Sequence, residues 1–166
     1  PFISGQWSFM HNGQIGGFEK IRRRLENALS DALFDQLEGT TDSELFFRMM
    51  LEEGLSNDPY GAVSRATSHV IEASRRAGIE PSLKLTAAFS DGQALHAVRY
   101  ATDDYAPTLY TGAFAKGVGR CIVSEPFDRN GRIWHEIPQS SFVTMTRGGT
   151  IIRPFAPAAA RLAMAG

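Results

Sequence analysis

The feature that most constrains this chain is a change of hydrophobic period at Pro81. Before it, apolar residues recur at helical spacing; after it, they alternate. Upstream, Phe18, Ile21, Leu25 and Leu29 form one helical stripe, with Lys20, Arg22, Arg23 and Glu26 on the other face. A second helix is expected to start at Thr41-Asp42-Ser43-Glu44 and run to Gly54, burying Leu45, Phe46, Met49 and Met50. There Thr41 can cap a free backbone N–H while Glu44 reaches back, the capping-box arrangement. A third helix is expected from about Pro59 to Ala77, because Pro suits a first turn and Gly78 suits a C-terminal cap.

Beyond Pro81, residues 83–89 and 94–100 flank Ser90-Asp91-Gly92-Gln93 and read as a β-hairpin. Further strands are expected at 108–111, 120–124, 133–137, 142–146 and 150–153, with turns at Asn130-Gly131 and Gly148-Gly149. Ahead of the helices, residues 6–12 alternate, with Trp7, Phe9 and His11 on one face, and end at Asn12-Gly13, a tight-turn pair. One strand, three helices, then a run of antiparallel strands predicts an α+β fold and argues against a doubly wound nucleotide-binding sheet. At 166 residues the chain is sized for one domain. The Ala- and Pro-rich tail, 156–166, is expected to fray.

Composition removes several function classes. The balance of 17 basic and 18 acidic residues gives no electrostatic reason to expect nucleic acid or anionic lipid as partner. Arg22-Arg23-Arg24 is a basic cluster without interleaved aromatics, which reads as a solvated helix face. A single cysteine, Cys121, excludes an intramolecular disulfide and a cysteine-rich metal site, and it suits a reducing compartment. No apolar run is long enough to span a bilayer, and the first residues lack the basic-then-apolar order of a signal peptide. A cytoplasmic protein is the expectation, with no cofactor implied and no sequence signal for its oligomeric state.

Two short segments could carry chemistry. Acyl transfer at an amide builds negative charge on the carbonyl oxygen, and two preorganised donors can stabilise it. The Asn12 side chain and the Gly13 N–H would supply such a pair, although an isolated Asn-Gly is more often only a turn. Asp42 could hold the ammonium group of an amino acid, although an acidic residue at a helix start commonly just complements the dipole. His69, His96 and His135 show no metal-ligand spacing, and Asp103-Asp104 reads as a solvated turn.

Together the two segments are specific. Trp7-Ser8-Phe9-Met10-His11-Asn12-Gly13, followed after one helix by Gly39-Thr40-Thr41-Asp42-Ser43-Glu44, resembles the class II glutamine amidotransferase family. Pro1-Phe2 looks like the end of that family's His-Pro-Phe segment, and Leu109-Tyr110-Thr111 and Ser124-Glu125-Pro126 resemble its later strands, most closely in small standalone members. The resemblance covers roughly residues 1–146. It implies an Ntn-hydrolase αββα four-layer sandwich, incomplete at its N-terminus, with residues 1–155 as the C-terminal portion of the domain. It also implies hydrolysis of the γ-carboxamide of glutamine or a γ-glutamyl compound, the small-molecule partner. On that basis Asn12 and Gly13 would stabilise the oxyanion and Asp42 would bind substrate.

The departures lie upstream. The family's nucleophile is an N-terminal cysteine whose own amine serves as base, and an upstream arginine clamps the substrate carboxylate. Neither has a match here: Cys121 falls inside an expected strand, and Arg99 and the other arginines follow the motif. The chain as it stands is therefore expected to be truncated and inactive, and the 166 residues alone to be poorly stable, with exposed sheet edges. The alternative is a non-catalytic amino-acid-binding or interaction module. A third reading, with the Pro1 amine as base, has no other support in the sequence.

Overall fold

A computed structural model describes residues 1–113, 119–127 and 134–158. They form two compact units, one from residues 1–14 and 83–155, the other from 15–82 and the segment after 155.

The first unit is built from strands. β1 (Phe2–Ser4), β2 (Trp7–Ile15), β3 (Leu83–Ser90), β4 (Leu95–Ala101), β8 (Ser141–Thr146) and β9 (Gly149–Pro154) make a six-stranded sheet in the order β1-β2-β3-β4-β8-β9. β5 (Tyr110–Ala113), β6 (Arg120–Val123) and β7 (Trp134–Glu136) make a second sheet in the order β6-β5-β7. The expected hairpin is present: Phe89 faces His96 and Ser90 faces Leu95 across antiparallel β3 and β4. Its turn is fixed by Asp91, whose Oδ1 accepts the Gln93 and Ala94 N–H groups at 2.9 Å each. The expected turn at Asn130-Gly131 falls outside the described residues.

Alternation along these strands creates two buried faces. On one, Trp7, Phe9, Phe89, His96 and Phe142 form a continuous ring cluster. On the other, Ala97 and Val143 pack with Leu109 and Ile137, and Ala88 and Ile122 close the edge. His96, Ala97, Val98 and Arg99 are all buried, so β4 is covered on both sides. Arg99 is accommodated there by donating from Nη1 to Glu136 Oε1 at 2.7 Å and to the Ile137 carbonyl at 2.5 Å.

The second unit is helical. α1 (Phe18–Glu26) buries Phe18, Ile21 and Leu25; it ends before Leu29, so the expected stripe overran the helix by one turn. The short α2 (Asp31–Phe34) that follows has no buried residue and no hydrophobic stripe to announce it. α3 (Asp42–Glu52) and α4 (Pro59–Arg76) match the sequence reading closely. Pro59 begins α4 with Asp58 accepting the Gly61 N–H at 2.9 Å, and Gly78 closes it at φ 69°. The tail, expected to fray, is held at its start: Ser64 Oγ donates to the Ala156 carbonyl at 2.7 Å and Ser68 Oγ to the Ala158 carbonyl at 2.8 Å. Residues 159–166 lie outside the described chain.

One correction bears on function. Asn12-Gly13 is not a turn; β2 runs straight through it to Ile15, and the chain turns at Gly16-Gly17. Gly17 has φ 68° and supplies the left-handed conformation that the turn requires. Asn-Gly is a strong hairpin signal only when two strands flank it closely, and here a helix follows.

Candidate active site

β2 presents its residues alternately to the two faces of the sheet. Trp7 and Phe9 point into the ring cluster, so Asn12, of opposite parity, belongs to the other face. Its side chain is exposed and makes no hydrogen bond among the described residues. A side-chain amide in that state is free to donate to a ligand.

Gly13 is where the fold admits no side chain. A Cβ built on it would overlap the Lys84 carbonyl and the His11 ring. His11 Nε2 sits 3.1 Å from the Lys84 carbonyl oxygen. A carbonyl can only accept, so the imidazole carries its proton on Nε2. The centre of the His11 ring also stands 6.1 Å from that of Phe9. The backbone of the Asn12-Gly13 segment is thus held by a close ring and a neighbouring strand.

In the helical unit, α3 begins as the sequence predicts, with one change. Thr41 Oγ1 accepts the Glu44 N–H at 3.3 Å. Glu44 does not return to the Thr41 N–H; its carboxylate accepts the Glu38 and Gly39 N–H groups at 2.7 and 2.8 Å. It is buried, with Arg48 Nη2 at 4.0 Å, and Arg48 in turn donates to the Gln36 carbonyl at 2.8 Å. The segment leading into α3 is therefore drawn onto the helix by one buried acid.

Asp42 is half-buried in the first turn of α3. Its Oδ2 accepts the Ile15 N–H at 2.8 Å and its Oδ1 accepts the Ser43 hydroxyl at 3.2 Å. A carboxylate offers about four lone-pair sites, so a fixed anion with acceptor capacity remains for a cation. No sequence signal marks Ile15 as the anchor, because the donor is a backbone group 27 residues away.

The remaining candidates have ordinary settings. Cys121 is on β6, half-buried, and burial pushes its thiol above the usual range. His96 is pulled down by burial, and its Nδ1 lies 3.2 Å from Thr144 Oγ1. His69 is exposed beside Glu53, and His135 is exposed on β7. Arg22 pairs with Glu26 at 2.7 Å. Among the described residues no three His, Cys, Asp or Glu side chains converge as metal ligands, and no helix is long and apolar enough to cross a membrane. A cleft of about 760 Å³ in the helical unit is lined by Arg24, Arg65, His69 and Arg76 with Glu53 and Glu72; Asp42 does not border it.

A solved glutamine aminotransferase class-II domain protein from Silicibacter pomeroyi is 42% identical to this chain with a TM-score of 0.90, over 96% of this chain and 71% of that one. The chain belongs to the class II glutamine amidotransferase family. Probable glutamine amidotransferase DUG3 of Saccharomyces cerevisiae is 28% identical over an alignment that covers 93% of this chain; the chain spans about half, 54%, of that curated relative. The glutamine phosphoribosylpyrophosphate amidotransferase of B. subtilis is 13% identical with a TM-score of 0.58, covering 90% of this chain and 29% of that one, a likeness of fold alone. No protein-family model matches the chain. For a class II amidotransferase, the α+β architecture with antiparallel sheets is the family's Ntn-hydrolase type.

Proposed function

We propose that this class II amidotransferase domain hydrolyses the γ-carboxamide of glutamine or of a γ-glutamyl compound. The reading is carried by membership of this family, and it is supported within each unit separately: in one, an exposed Asn12 amide beside a side-chain-intolerant Gly13; in the other, an Asp42 carboxylate fixed by the Ile15 N–H. In the reaction a thiolate adds to the γ-carbonyl carbon, and the carbonyl oxygen takes the negative charge. The Asn12 amide and the Gly13 N–H donate to that oxygen. Collapse of the adduct breaks the C–N bond and expels ammonia or an amine, which takes up one proton. Water then cleaves the thioester to leave the γ-carboxylate and the free thiol. Asp42 holds the substrate α-ammonium throughout.

Residues 1–155 are read as the C-terminal portion of the domain. The proposal assigns neither the nucleophilic thiolate nor the arginine that clamps the substrate carboxylate to a residue of this sequence.

The test is ammonia or amine release by the full-length protein from glutamine and γ-glutamyl amides. Asn12→Ala should lower kcat about 10²–10³-fold, the usual loss for one oxyanion donor. Asp42→Asn keeps an acceptor for the Ile15 N–H but loses the charge, so its main effect should be a KM raised about tenfold or more. A wild-type protein that releases nothing from any of these amides removes the catalytic reading. Saturable glutamine binding without release would then favour a binding module.

A further inference from the structure

Lys84 touches the candidate oxyanion segment and a second feature that the reaction has not used. Its carbonyl meets His11 and lies against Gly13. Its ammonium donates to both carboxylate oxygens of Asp103, at 2.8 and 2.7 Å, and to the Tyr105 carbonyl at 2.7 Å. The same ammonium stands 5.1 Å from the centre of the Tyr105 ring.

The loop carrying Tyr105 is fixed from several directions. Asp103 Oδ1 accepts the Tyr105 N–H at 3.1 Å. Gln139 accepts the Ala106 N–H at 3.0 Å and donates to the Asp103 carbonyl at 3.1 Å. Thr86 Oγ1 donates to the Pro107 carbonyl at 2.9 Å. Yet the Tyr105 ring at the centre of this frame is 61% exposed, and its hydroxyl has no partner among the described residues. The frame holds Tyr105 by its backbone and by the Lys84 ammonium over its ring, and leaves most of the ring in water. A rigid exposed ring supplies contact area with little conformational entropy left to lose on binding.

Side-chain parity places the ring near the chemistry. Phe89 points into the ring cluster and Ala88 into the opposite core, so Lys84, of Ala88's parity, shares the face of Asn12. Tyr105 therefore stands one lysine side chain away from Gly13, on the side where the γ-carbonyl would be received. The amide substituent is bonded to that same carbonyl carbon. We infer that Tyr105, held by Lys84 and Asp103, is a specificity-determining residue that packs against the group carried on the γ-amide nitrogen, so that γ-glutamyl amides of bulky or aromatic amines are preferred over free glutamine. The inference rests on the amidohydrolase reading and deepens it.

The experiment compares kcat/KM for γ-glutamyl-p-nitroanilide with that for L-glutamine in the full-length protein, for wild type, Tyr105→Ala and Tyr105→Phe. Loss of one packing contact is worth about tenfold or more in discrimination. The expected result is that the anilide-to-glutamine ratio falls about tenfold in Tyr105→Ala and is restored to near the wild-type value in Tyr105→Phe. An unchanged ratio in Tyr105→Ala, with wild type active on both amides, overturns the inference and leaves the amidohydrolase reading standing. So does a fall shared equally by the two substrates. Wild type inactive on both amides removes the amidohydrolase reading, and this inference falls with it.

Discussion

The two segments that carry the candidate chemistry are held by opposite means. His11–Gly13 is fixed by exclusion: a ring and a neighbouring carbonyl occupy the space where a side chain would stand. The start of α3 is fixed by satisfaction: Thr41, Asp42 and Glu44 each accept backbone N–H groups that would otherwise be unpaired. Exclusion is unforgiving, because no isostere of glycine exists and a single added methyl meets main-chain atoms. Satisfaction is graded, because another acceptor of similar reach recovers part of what is lost. The two segments should therefore fail differently when altered, and the comparison can be tested at each.

The largest effect is expected at Gly13. Gly13→Ala forces β2 away from Lys84 or displaces the His11 ring, since the clash is with backbone and not with the end of a flexible chain. Overpacking of this kind costs about 3 kcal/mol, and amide hydrolysis by the full-length protein should be lost with it. A thermal melt gives the first quantity and ammonia release the second. A Gly13→Ala variant that melts and turns over like wild type would break the comparison on its strand side.

A smaller and recoverable loss is expected at Glu44. Glu44→Ala strips two N–H groups of their acceptor and leaves the buried Arg48 without its carboxylate. Unpaired buried groups of this kind destabilise by about 2–3 kcal/mol. Glu44→Gln retains one acceptor oxygen, so denaturant melts should show it midway between Glu44→Ala and wild type. Equal losses in the two variants would mean that this segment, too, is held by shape.

Much of this was legible in the sequence, for reasons that differ by element. The period change at Pro81 gave both classes of element, because buried stripes at 3.6 and 2 residues have few other solutions. The start of α3 and the ends of α4 were readable because caps are local chemistry: Thr41, Pro59 and Gly78 act within a turn of themselves. The same locality misled at Asn12-Gly13. Its turn propensity is real, but pairing with β3 keeps β2 extended through it, and that partner lies about 70 residues away in sequence. Contacts reaching far along the chain, His11 with Lys84 and Ile15 with Asp42, left no mark that a window of residues could show. Asn12, Gly13 and Asp42 are candidates through family resemblance alone, while the atoms that fix them came only from the fold.

The finest test of the comparison is Thr41, whose hydroxyl accepts a single N–H at 3.3 Å on an exposed residue. Replacing a capping hydroxyl with a methyl group costs about 1 kcal/mol. Thr41→Ala should therefore lower the stability of the full-length protein by about that much, and Thr41→Ser should restore it. Because Asp42 occupies the next position, a loosened first turn should also raise KM for the amide substrate by a few-fold while leaving kcat nearly intact. If Thr41→Ala changes neither the melt nor KM, the cap is redundant with the Glu44 contacts. The helix start would then owe its position to that one buried acid, much as the strand segment owes its own to one glycine.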